Sequence, residues 1–188
     1  MLIAAGFSLA AEDLRPVNAI VIRHDVSFDM TSSSSGIMKA SIKVMVKDKK
    51  GLDASVFIVN TDAFKTLTSF SGRIEAGGKV LRKLKMSDLK SQLVSDDLAT
   101  DDRISYYEPS APYPFTVEYD FEMTYHGGFI SFPSFVPISE PDVSLENASY
   151  SLSLPKGTEI LYNASAEPVR YDDMVRDVYV WKFDGYSG

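Results

Sequence analysis

The sequence predicts an all-β fold, an antiparallel β-sandwich with at most one short helix. Three observations carry that prediction. Apolar residues recur with period two through most of the chain, the mark of half-buried strands. Gly, Pro and Asp-Lys-Lys-Gly punctuation separates the alternating runs at the spacing of sandwiches and barrels. Only one stretch carries any helical spacing, and it is weak.

The elements follow in order. Val17 to Phe28 reads as a first long strand, and Ser32 to Ser35 as the loop after it. Ala40, Ile42, Val44 and Val46 alternate with Lys39, Ser41, Lys43 and Lys47, closing at Asp48-Lys-Lys-Gly51. Val56 to Val59 and Thr66 to Ala76 are extended, the second turning at Gly77-Gly78 into Lys79 to Leu84. Leu84, Leu89, Leu93 and Leu98 hold the weak helical spacing, which predicts a short helix or an irregular crossover over 84–98. Phe115 to Tyr125 is the cleanest strand: every odd position is apolar and every even one is Thr, Glu or Asp. It therefore has one buried face and one wet, acidic face. His126-Gly127-Gly128 reads as a tight turn, with Phe129 to Phe132 returning as a hairpin partner until Pro133 and Pro137 stop it. Tyr150, Leu152 and Leu154 form the face of a further strand, and Tyr179, Trp181 and Phe183 that of the last.

Residues 1–11 are apolar and small, with Ser8-Leu9-Ala10 resembling a signal-peptidase site just before Glu12-Asp13. They read as a signal-peptide remnant, which places the protein outside the cytoplasm, periplasmic or extracellular. Residues 12–188 read as one β-sandwich domain. The stop soon after the last aromatic strand suggests a piece of a longer chain. No segment reaches the roughly 20 apolar residues that span a bilayer, so the chain is expected not to cross the membrane by a helix.

The net charge of −7 argues against a nucleic-acid partner, which calls for a basic footprint. The absence of cysteine removes disulfides, thiolate metal sites and cysteine nucleophiles. The two histidines, His24 and His126, are too few and too far apart in sequence for a three-ligand metal site. Asp25 next to His24 on a strand points the other way, so it orients no general base. Asp96 to Arg103 is the densest carboxylate run, but it lacks the alternating ligands and central glycine of a calcium loop and reads as turn-capping. Ser32 to Ser35 lacks a nucleophile elbow. Glu118 and Glu122 share the wet face of one strand, and Asp101 lies nearby in sequence; these carboxylates leave a small hydrolase as the weakest reading. Lys79, Arg82, Lys83, Lys85 and Lys90 read as guards of an exposed sheet edge. Tyr106, Tyr107, Tyr113, Phe115, Phe132 and Phe135 are mostly core, with one or two left to stack on a sugar or mark a protein interface. No cofactor, metal or catalytic residue is assigned, and the binding residues are unknown.

Five segments in order carry a family resemblance: Gly77-Gly-Lys-Val-Leu-Arg-Lys-Leu-Lys-Met-Ser-Asp-Leu89, Leu98-Ala-Thr-Asp-Asp-Arg103, Tyr113-Pro-Phe-Thr-Val-Glu-Tyr119, Phe132-Pro-Ser-Phe-Val-Pro137 and Ala148-Ser-Tyr-Ser-Leu-Ser-Leu-Pro155. Together they resemble the bacterial domain of unknown function that precedes transglutaminase-like domains in envelope proteins, particularly of the Bacteroides group. The resemblance runs from about Val17 to Phe183. It implies an exported β-sandwich upstream of a papain-like Cys-His-Asp domain, and no catalytic residue of that neighbour maps onto this chain. The function so implied is a non-catalytic accessory module, not an enzyme, that supports or recruits substrate to that intramolecular partner. The alternative is a stand-alone surface module binding a glycan or peptide.

Overall fold

The computed structural model describes residues 17–94, 102–127, 132–140 and 142–186. The protein is all-β. Eight strands make one large sheet: β1 (Ala19–Ser32), β2 (Ser35–Val46), β4 (Lys65–Ala76), β5 (Lys79–Lys85), β8 (Phe115–Tyr125), β9 (Val143–Pro155), β10 (Val169–Asp172) and β11 (Arg176–Tyr186). Their order is β10-β11-β9-β1-β2-β8-β4-β5. A second sheet holds β3 (Phe57–Thr61), β7 (Arg103–Tyr107) and β6 (Lys90–Leu93), in the order β3-β7-β6. All pairings are antiparallel except β1 with β9, which is parallel. That one pair departs from the fully antiparallel expectation.

Alternation decides which face is inward. On β8, Phe115, Val117, Tyr119 and Met123 are buried, as their period-two spacing predicts. On β1 the phase changes along the strand. Ala19 and Val21 point inward, then Val26 and Phe28 do, because the ladder shifts register between Val21 and Arg23. The neighbouring β9 shifts in step, from Leu145 to Ala148, so the parallel pair stays in register across the irregularity. An extra residue in a strand flips every later side chain to the other face. Ile22 therefore breaks a pattern that a strict period of two would carry through.

The small sheet closes the β4–β8 half of the inner face. Phe57 of β3 sits 4.6 Å from Phe70, 5.4 Å from Tyr119 and 5.1 Å from Phe121, centroid to centroid. The Tyr119 hydroxyl donates to the Ser55 carbonyl at 2.9 Å, which satisfies the polar end of a buried ring. The β1–β9–β11 half is closed instead by two irregular segments, 132–138 and 159–166. Phe132 packs 5.8 Å from Phe28, Phe135 lies 5.5 Å from Tyr150, and Tyr162 meets Trp181 edge-on at 5.4 Å.

One expectation is refined and one is corrected. Over 84–94, the described part of the expected short helix or irregular crossover, the end of β5 leads into a 3-10 turn at Met86–Asp88 and then into β6. The leucine spacing there suits a short strand equally well, since four scattered leucines do not define a period. β8 leaves no edge for the expected Phe129–Phe132 hairpin partner, because β2 and β4 occupy both of its edges from Phe115 to Tyr125; residues 128–131 themselves lie outside the described residues. The only described residue of that proposed return, Phe132, lies outside any strand and packs on the core. The apolar segment 1–11 and residues 95–101 of the carboxylate run lie outside the described residues.

Candidate functional site

Two regions bring polar or aromatic side chains together. The first is the open face of the large sheet, where outward residues line up across strands. Arg23, Lys43, Glu118 and Arg73 occupy one row over β1, β2, β8 and β4. Glu118, whose side chain is only 13% exposed, lies 2.6 Å from Arg23 and 2.6 Å from Arg73. Partial burial pushes its carboxyl upward, but the Arg23 hydrogen bond and the charges of Arg73, Arg23 and Lys43 outweigh this and hold it below the usual range. The next row carries Ser149, Asp25, Ser41, Asp120 and Ser71. Ser149 donates to Asp25 at 2.6 Å, and Ser41 donates to Asp120 at 2.7 Å. These carboxylates are engaged by neighbours on adjacent strands, as expected of a solvated sheet face with cross-strand pairs.

A general acid needs a raised pKa and a cleft that excludes water. Glu118 is instead shifted toward the ionised form. Glu122 reaches Lys39 at 3.5 Å and Thr68 at 3.4 Å on the open face. His24 turns to the opposite, inner side, where its Nδ1 lies 3.1 Å from the Pro137 carbonyl and its ring 4.8 Å from Phe135. Burial lowers its pKa, against the opposing pull of the Pro137 carbonyl and the Asp25 charge. His126 is exposed at the end of β8, with its backbone N–H donating to Phe64 at 2.8 Å. The two histidines are therefore not brought together. Ser32, Ser34 and Ser35 bond one another around the β1–β2 turn. Among the described residues, no group of three His, Asp or Glu side chains has metal-ligand geometry.

The basic run falls where an edge guard should. β5 is the last strand of the large sheet, with Lys79, Arg82, Lys83 and Lys85 exposed along it. Arg82 pairs with Asp88 at 2.8 Å and lies over the Tyr107 ring at 5.7 Å. Lys90 on β6 pairs with Glu108 at 3.4 Å.

The second region is a cavity of about 690 Å³ on the inner side of β9 and β11, walled by segments 132–137 and 159–165. Its aromatic lining comprises Phe132, Phe135, Tyr150, Tyr162, Trp181 and Phe183. Tyr150 and Trp181 are buried at the base, Phe135 and Phe183 are half-buried, and Tyr162 is exposed at the rim. Alternation places Tyr150, Leu152, Trp181 and Phe183 on the inner face of their strands. Among the described residues no strand covers them there, and irregular chain does. Of the aromatics singled out in the sequence, Phe132 and Phe135 reach this cavity. Tyr107 and Phe115 are core, and Tyr113 is exposed elsewhere. Tyr150, Tyr162, Trp181 and Phe183 were not legible as a site, because their spacing reports only a strand face.

The fold and these regions define a class: an all-β module of one large and one small sheet, with an aromatic cavity under irregular cover. The chain belongs to the family described as a domain of unknown function with a solved structure (DUF3857), whose pattern matches residues 41–186. The chain is also similar to a protein from Parabacteroides distasonis described as a candidate protease. That match has a TM-score of 0.71 and 14% identity, over 90% of this chain and 36% of that one. The chain thus spans about a third of that protein's length. Two weaker likenesses are a candidate nutrient-binding protein from Legionella pneumophila, at TM-score 0.39 and 8% identity over 92% of this chain and 64% of that one, and yeast LTA4 hydrolase, at 0.36 and 11% over 89% and 29%. No curated protein matches the chain.

Proposed function

We propose that this chain is a non-catalytic accessory module of a longer exported protein, periplasmic or extracellular. It supports, or recruits substrate to, a transglutaminase-like (papain-like) domain of the same polypeptide. The observation that carries this reading is the likeness to the Parabacteroides protein: the same fold accounts for 90% of this chain but 36% of a longer protein described as a candidate protease. The disposition of the ionisable groups supports it too, since Glu118 is held ionised between two arginines and His24 is turned away from every carboxylate of the open face. A division of labour follows, in which this domain supplies surface and its neighbour supplies chemistry. Reading the gene beyond Gly188 tests it. A Cys…His…Asp order downstream is expected, and a stop codon there would contradict the proposal.

A second reading, a stand-alone surface module that binds a glycan or peptide, is favoured by one observation, the aromatic cavity beside β9 and β11. Stacking aromatics serve such binding.

A further inference from the structure

The cavity beside β9 and β11 has a charge pattern that selects among ligands. Glu159 is its one charged lining residue among the described residues. That side chain is exposed and has neither a hydrogen bond nor an ion pair among the described residues. Among the described residues, no lysine or arginine lines the cavity to compete for it.

The polar atoms of the rings are already engaged. Trp181 Nε1 donates to the Ala166 carbonyl at 3.1 Å, and the Tyr150 hydroxyl donates to the Pro133 carbonyl at 2.9 Å. The Tyr162 hydroxyl donates to Glu167 at 2.7 Å and accepts from Arg170 at 3.3 Å. A guest therefore meets ring surfaces, the Glu159 carboxylate and the small polar side chains of Ser134, Asn163 and Ser165. Aromatic faces carry the negative side of a quadrupole and attract cations, an attraction that grows as water is excluded. An anion is repelled by Glu159, and a polyhydroxylated sugar finds no ring hydroxyl or indole N–H free to bond, only the side chains of Ser134, Asn163 and Ser165. The volume of about 690 Å³ lies within the usual range of small-molecule sites, roughly 300–1,000 Å³.

We propose that this cavity binds an organic cation, a trialkylammonium or similarly bulky ammonium group on a small apolar body. The ammonium sits at the rim against the exposed Tyr162 ring, with Glu159 as its counter-ion. The inference holds whether or not a catalytic domain follows in a longer protein.

Trp181 is the chain's one tryptophan, so fluorescence excited selectively at the indole reports on this cavity. The 188-residue chain is titrated with choline and with 3,3-dimethylbutan-1-ol, its uncharged isostere. A saturable change with choline is expected, with the isostere weaker by about tenfold, equivalent to ~1.4 kcal/mol. Glu159→Gln and Tyr162→Leu are each expected to weaken choline several-fold while leaving the circular dichroism unchanged, since both residues lie at the rim. Co-sedimentation with phosphatidylcholine vesicles would assign the cation to a lipid headgroup; choline binding without it would assign a free solute. Equal affinity for the isostere overturns the proposal, as does choline binding that Glu159→Gln leaves intact. So does a saturable response to cellobiose, or no saturable response to choline.

Discussion

Phe57→Ala probes whether the small sheet is locked onto the large one by aromatic packing. The ring is 3% exposed and lies within 5.4 Å, centroid to centroid, of Phe70, Tyr119 and Phe121, so its removal leaves a cavity between two sheets. Truncating a buried phenylalanine costs about 3–5 kcal/mol, and three lost ring contacts put this site near ~4. For a domain of this size each kcal/mol moves the Tm by about 2–4 °C, so a fall of roughly 8–16 °C is expected. Ile58→Ala is the control, because Ile58 is the next residue of β3 and is 60% exposed on the other side. It should cost about 0.5 kcal/mol or less. Urea unfolding followed by far-UV circular dichroism and by Trp181 fluorescence gives both values, with the two probes coincident if the sheets unfold together. Equal shifts for Phe57→Ala and Ile58→Ala would refute the packing argument.

Three further outcomes follow from the same contacts. Glu118→Gln leaves Arg23 and Arg73 facing each other on the open face; because both arginines are more than a third exposed, the loss is expected at about 1–2 kcal/mol by urea midpoint at pH 7. The Glu118 carboxyl is held below its ordinary value of 4.5, so its contribution is complete above that pH and disappears as the pH falls through the lower folded value; the variant should show a flatter acid limb. His24 has a folded pKa below 6.5, so the unfolded chain takes up the proton first and stability declines as the pH falls below 6.5; His24→Gln should flatten the midpoint difference between pH 7.5 and 5.5. At Gly51 an added Cβ would stand 2.2 Å from the Asn18 carbonyl oxygen, a backbone atom, so Gly51→Ala should destabilise by about 1–3 kcal/mol in thermal melts.

Much of the fold was legible because alternation is a local signal. The faces of β2, β8, β9 and β11, the Gly77-Gly78 turn and the edge position of the Lys79–Lys85 strand can all be read from residues within a few positions of each other. Strand partners cannot. That β8 is flanked by β2 and β4, and β1 by β9 in parallel, depends on contacts far apart in sequence, and the glycines after Tyr125 misled in favour of a local hairpin. The phase change at Arg23 was equally hidden, since one inserted residue leaves composition untouched while reversing His24 and Asp25 between faces. The cavity was the least legible feature. Its base is ordinary strand alternation, and its walls are chain whose path follows from nothing periodic.

The most direct test of the accessory role is amide-hydrolysis turnover, on a panel of peptides, by the purified 188-residue chain beside a longer polypeptide that joins it to the proposed transglutaminase-like domain. The account predicts no turnover by the chain alone, and turnover by the longer protein that depends on a cysteine outside these residues. Turnover by the 188-residue chain, abolished by Glu118→Gln, would contradict it.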